Sequence, residues 1–127
     1  QEARDRFVEF LPPNTEFIEK ITYGDPNRPS IIRYKFKTIS SKDRILNFYK
    51  IFLSREGFRE YDSYSLAQDI DKKVEEYYSI FQKPGYLLVF NISTYDKESD
   101  VENPEEEVDE NLLYYYITIH RLPDSYR

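Results

Sequence analysis

Cysteine, methionine and tryptophan are absent from this 127-residue chain, histidine occurs once and glycine three times. Without cysteine there is no disulfide scaffold, no thiol nucleophile and no thiolate-ligated zinc. A lone His120 cannot supply the three protein ligands that a catalytic zinc usually takes, and it completes no recognisable Ser-His-Asp pattern. It reads as a surface or half-buried structural side chain. So few glycines leave no Gly-rich phosphate loop and no backbone cradle for an anion. No apolar run approaches the roughly 18 residues of a membrane-spanning helix. The missing cysteine does not identify a compartment. A chain that opens on Gln1 and lacks Met reads as a trimmed or processed product, with trimming and removal of a signal peptide as the two alternatives.

What is abundant is tyrosine and phenylalanine, 13 and 9 residues. Tyrosine packs its ring and keeps its hydroxyl wet, which suits strands with one buried and one exposed face. The length fits one domain over 1–127, able to bury roughly two-thirds of its unfolded surface. The net charge of -6 is unevenly spread. Residues 96–110 hold nine acids against one Lys, a local -8, so the rest of the chain sums to +2. That acidic stretch reads as an exposed loop insertion, and the pI alone does not argue against nucleic acid.

Residues 1–12 read as a leader, either a short amphipathic helix or a segment docking on the core, ended by Pro12 and Pro13. The stretch FIEKITY, the turn formers GDPNRPS at 24–30, and IIRYKFK predict a hairpin. In its second strand Ile32, Tyr34 and Phe36 point one way and Arg33, Lys35 and Lys37 the other. Ser40, with Asp43 three residues on, predicts a helix start. Ile45, Leu46, Phe48, Tyr49, Phe52 and Leu53 then trace one helical face, with Phe48, Phe52 and Leu53 expected in the core. Gly57 predicts a left-handed cap, with Phe58 folding back onto Leu53. FREYDSYS reads as a strand, and 66–76 fits either a helical turn or a loop. YYSIFQ and YLLVFNIST flank KPG, a tight-turn signal. The last strand, LLYYYITIHRL, puts Leu113, Tyr115, Ile117 and Ile119 on one face and Tyr114, Tyr116, Thr118 and His120 on the other. The expected fold is therefore α+β, an antiparallel sheet of about five to six strands with one main helix, about 41–56, packed on one face.

No catalytic residue and no cofactor site is predicted. Asp96, Glu98, Asp100 and Glu102 alternate as calcium ligands might, but Val101 stands where such a loop usually needs its turn glycine. They are weak metal candidates, and a solvated acidic loop is the plainer reading. Arg33, Lys35, Lys37, Tyr114, Tyr116 and His120 form a candidate interaction face. Cations among aromatic rings on a sheet are one way to bind single-stranded nucleic acid, although no RNA-binding sheet signature is present.

The segment IIRYKFKTISSKDRILNFYKIFLSREGF, with strands after it, resembles a small extracytoplasmic domain of bacterial lipoproteins and periplasmic proteins of unknown function. Phe48, Tyr49, Leu53, Gly57, Phe58 and the preceding LPP carry the resemblance, which spans roughly 11–122. It implies an exported module, with room for a lipid anchor upstream, and no catalytic residue. The acidic insertion at 96–110 departs from that pattern. The helix also resembles the first helix of the vicinal-oxygen-chelate (glyoxalase-like) βαβββ module, a family that builds a metal site from His and Glu on two paired modules. This chain has the length for one module and a single His. Three functional readings follow: a non-enzymatic binding module for a protein or small molecule, periplasmic or otherwise extracytoplasmic rather than cytoplasmic; a dimeric glyoxalase-like metal enzyme; and a single-stranded nucleic-acid binder, the least favoured. A monomer and a homodimer are both compatible with the sequence.

Overall fold

The computed structural model describes residues 5–69, 74–93 and 112–123. In chain order these form α1 (Arg6–Glu9), β1 (Thr15–Asp25), β2 (Arg28–Thr38), α2 (Lys42–Arg55), β3 (Arg59–Asp69), β4 (Val74–Lys83), β5 (Tyr86–Ser93) and β6 (Leu113–Arg121). All strand pairings are antiparallel, in the order β1-β2-β6-β5-β4-β3. The broad α+β reading with an antiparallel sheet of five to six strands therefore holds, at six. β3 to β6 run as a meander, and the last strand slots in beside β2. No helix among the described residues is long and apolar enough to cross a membrane.

Local chemistry explains the boundaries. Pro84 and Gly85 form the two-residue loop between Lys83 and Tyr86, with Gly85 at φ +86, the arrangement a type II turn demands. The first hairpin is tighter than its run of turn formers predicts. Asp25 pairs with Arg28, so only Pro26 and Asn27 form the loop, and the Asn27 amide donates to Asp25 Oδ1 at 2.9 Å. The helix cap is Ser41 rather than Ser40. Ser41 accepts from the Arg44 amide at 3.3 Å, while Ser40 turns inward and donates to the Pro13 carbonyl at 2.7 Å. Arg44, not an acid, occupies the third helical position, so no reciprocal capping box forms. Residues 66–69 extend β3 and Val74 opens β4, where the sequence fits a helical turn or a loop. Pairing of Ser65 with Tyr77 and of Ala67 with Glu75 continues the ladder across weak local preference.

The core is an aromatic stack. Phe36, Ile45, Tyr49, Leu53, Phe90, Tyr115 and Ile117 are all buried. Strand alternation sends Phe36, Phe90, Tyr115 and Ile117 to the same side of the sheet. The Tyr49 ring meets Tyr115 at 5.4 Å and Phe90 at 5.4 Å, and Tyr115 stacks on Phe36 at 4.7 Å. Offset and edge-on pairs of this kind add to simple area burial. The helical period places Phe48 in the core, but Phe48 is half-buried and Tyr49 is 1% exposed. The leader does dock: Phe7 of α1 stacks on Tyr34 at 5.2 Å and meets Phe52 edge-on at 5.3 Å. Asp5 fixes it by accepting from the Tyr34 hydroxyl at 2.9 Å and from Lys20 at 2.7 Å.

α2 ends as its sequence predicts. The Phe58 amide donates to the Leu53 carbonyl at 2.9 Å, both side chains are buried, and Gly57 has φ +93. A Cβ at Gly57 would meet nothing nearer than Lys83 Cδ at 3.8 Å, so any penalty there is backbone strain alone. Gly57→Ala should therefore lower stability by about 1–2 kcal/mol, the usual cost of holding an L residue left-handed, seen as a lower urea midpoint at unchanged slope. An unchanged midpoint would show that the cap does not need this conformation.

Candidate functional site

The register of β2 against β6 builds the candidate face. Lys37 lies opposite Tyr114, Lys35 opposite Tyr116, Arg33 opposite Thr118 and Ile31 opposite His120. These residues alternate with the core set, so Arg33, Lys35, Lys37, Tyr114, Tyr116 and His120 all share the second face of the sheet. On the far side of β6, the same rows continue through Ser93, Asn91, Val89 and Leu87 of β5, then Glu76, Tyr78, Ile80 and Gln82 of β4. Tyr64 of β3 stacks on Tyr78 at 5.1 Å.

The cations are held by their neighbours. The Arg33 guanidinium lies 4.3 Å from the Tyr116 ring centroid, and Lys35 Nζ lies 5.6 Å from Tyr114 and 5.7 Å from Tyr116. Cation–π contacts at these distances are attractive, more so when desolvated. Lys37 Nζ pairs with Glu16 Oε2 of β1 at 3.3 Å. The sequence suggests a solvated face, and that holds only in part. Lys35 is 7% exposed, Tyr116 6% and Glu76 0%. Glu76 Oε2 accepts from the Tyr78 hydroxyl at 3.2 Å.

The face thus has two halves. One is cationic and aromatic, at Arg33, Lys35, Lys37, Tyr114 and Tyr116. The other is mostly aliphatic and half-buried, at Ile31, Ile80, Leu87 and Val89, with His120 and Thr118 among them. A recess of about 350 Å³ borders the cationic half, between Asn14–Glu16 of one strand end and Lys37–Ile39 of the next. Sequence reasoning places Thr118 and His120 on this face but misses Ile31, Ile80, Leu87 and Val89, and with them Asn91, Tyr78 and Tyr64. Both β4 and β5 are recognisable as strands, and the phase of their alternation is the signal that could assign these residues.

Among the described residues no three His, Cys, Asp or Glu side chains converge as a metal site. The calcium-loop candidates Asp96, Glu98, Asp100 and Glu102, and the acidic stretch 96–110, lie outside the described residues. Comparison with family models, with curated proteins and with solved structures finds no match.

On the core side, Tyr49 and Tyr115 share a hydroxyl–hydroxyl bond of 2.7 Å. Burial pushes both hydroxyls well above the ordinary tyrosine range, and it does the same to Tyr34, with the Asp5 carboxylate adding to the effect. The unfolded chain releases these protons near pH 10 and the folded chain only at higher pH. Stability from these groups is therefore complete below about pH 10 and is lost as pH rises beyond it. The thermal midpoint should be flat from about pH 7 to 9 and fall above about pH 10. The fall should be shallower in Tyr49→Phe, and equal slopes in the two proteins would contradict the assignment.

Proposed function

We propose that this chain is a non-catalytic binding module, that α2 covers one face of the sheet, and that the ligand meets the other, along β2, β6 and β5. The observation that carries the reading is the β2–β6 register, which gathers Arg33, Lys37 and Tyr114 beside a half-buried aliphatic strip on Ile31, Leu87 and Val89. An apolar strip with charged and aromatic neighbours has the make-up of an interaction surface. The mutual stacking of Arg33 and Tyr116 supports a protein or small-molecule ligand over single-stranded nucleic acid, because a base would have to displace that contact before stacking. For the setting, we infer an exported bacterial protein, supported by the strand–helix–Gly-Phe pattern of residues 31–58.

The test is a titration of ¹⁵N-labelled protein, followed by amide shifts, with an acidic polypeptide, an apolar peptide and a mixed-sequence single-stranded oligonucleotide. The reading expects shifts clustered on 31–37, 87–91 and 114–120 with one of the two peptides. Shifts clustered on α2, the strongest response from the oligonucleotide, or no shift on β2 and β6 with any probe would overturn it.

A further inference from the structure

β3 is an end strand of the sheet, and residues 59–65 along it are all exposed. An end strand presents unpaired N–H and C=O groups, a ready template for another chain. Tyr61 and Tyr64, 67% and 45% exposed, would add apolar gain to such a pairing. The edge therefore has reason to be guarded.

Two irregularities already shorten it. Glu60 pairs with Phe81 and Asp62 with Ile80, which leaves Tyr61 as an extra residue. Ala67 pairs with Glu75 and Asp69 with Val74, which leaves Gln68 as another. Bulges of this kind bend a strand and break its ladder. Between them, residues 62–67 pair one for one with β4. Within this regular run the Ser63 amide donates to Asp62 Oδ1 at 2.8 Å. Alternate residues of an antiparallel strand aim their backbone groups at alternate sides. An amide satisfied by the preceding carboxylate is not spent on β4, so Ser63 belongs to the outward row, together with Ser65 and Ala67.

We propose that Asp62 closes the free edge of β3 to strand addition by a second copy of this chain. Its carboxylate takes up the Ser63 amide, the first of the three outward positions between the bulges. Ser65 and Ala67 remain, and the run from 65 to 67 that carries them is three residues, the lower limit of a strand. The seal is a hydrogen bond rather than charge repulsion alone, and the two causes separate by substitution. Asp62→Asn keeps an oxygen acceptor and loses the charge, while Asp62→Ala loses both, so the two variants together decide between the causes.

Sedimentation velocity over a wide concentration range reads the outcome. Asp62→Ala should associate at concentrations at least about tenfold lower than the natural chain, corresponding to about 1.4 kcal/mol, and Asp62→Asn should sediment as the natural chain does. Asp62→Ala sedimenting like the natural chain, or Asp62→Asn associating as readily as Asp62→Ala, would overturn the proposal. A readout on the natural chain covers the case in which Asp62→Ala fails to fold. The Ser63 amide should exchange with solvent more slowly than the outward Ser65 amide, because only the former is held by a side chain, and a Ser63 amide that exchanges as fast as that of Ser65 also overturns the proposal.

Discussion

The hydroxyl–hydroxyl bond between Tyr49 and Tyr115 is the joint on which this structure turns. It links the helix to the central strand β6 inside an aromatic stack, where an unpaired hydroxyl would cost about 1–3 kcal/mol. Pairing the two hydroxyls removes that cost only when Tyr115 points inward. Side chains alternate along a strand, so an inward Tyr115 sends Tyr114 and Tyr116 to the opposite face. A slip of one residue would turn Tyr114 and Tyr116 toward the helix side of the sheet and Tyr115 away from Tyr49. The candidate face is thus fixed from behind, by a buried bond in the core.

The same register explains how one buried cation, Lys35, is tolerated between two partly exposed ones. Taking a lysine out of water is costly unless its charge is compensated. Lys35 lies between the rings of Tyr114 and Tyr116, Arg33 covers Tyr116, and Lys37 reaches Glu16 on β1. The long aliphatic stems of these residues cover apolar surface while their heads find aromatic or acidic partners. What results is a built surface whose side chains are set by one another. Such preorganisation favours binding, because less side-chain freedom is lost when a ligand arrives.

Much of this is legible in the residues and some is not. The alternation of IIRYKFK and LLYYYITIHRL assigns both faces of β2 and β6, because period-two patterns survive into any sheet with one buried side. Gly57 with Phe58 predicts the helix end, because few residues other than glycine adopt that conformation at low cost. What fails depends on contacts distant in sequence. Ser40 is the cap its sequence predicts, but the Pro13 carbonyl captures its hydroxyl and the cap falls to Ser41. Residues 66–69 become strand by pairing with β4, which their own composition does not announce. Phe48 and Tyr49 are adjacent on the apolar arc, and only the position of Tyr115 selects Tyr49 for the centre. On the candidate face, the residues of β2 and β6 are readable from their own alternation, while the share of β5 and β4 needs the order of strands across the sheet.

A double-mutant cycle on Tyr49→Phe and Tyr115→Phe tests the central joint most directly. Each single variant removes one hydroxyl and leaves the ring. If the bond holds helix to strand, the two losses in urea melts are strongly non-additive, with a coupling energy of about 1 kcal/mol or more. Losses that add to within about 0.3 kcal/mol would mean that the two hydroxyls do not act on each other, and would contradict the account.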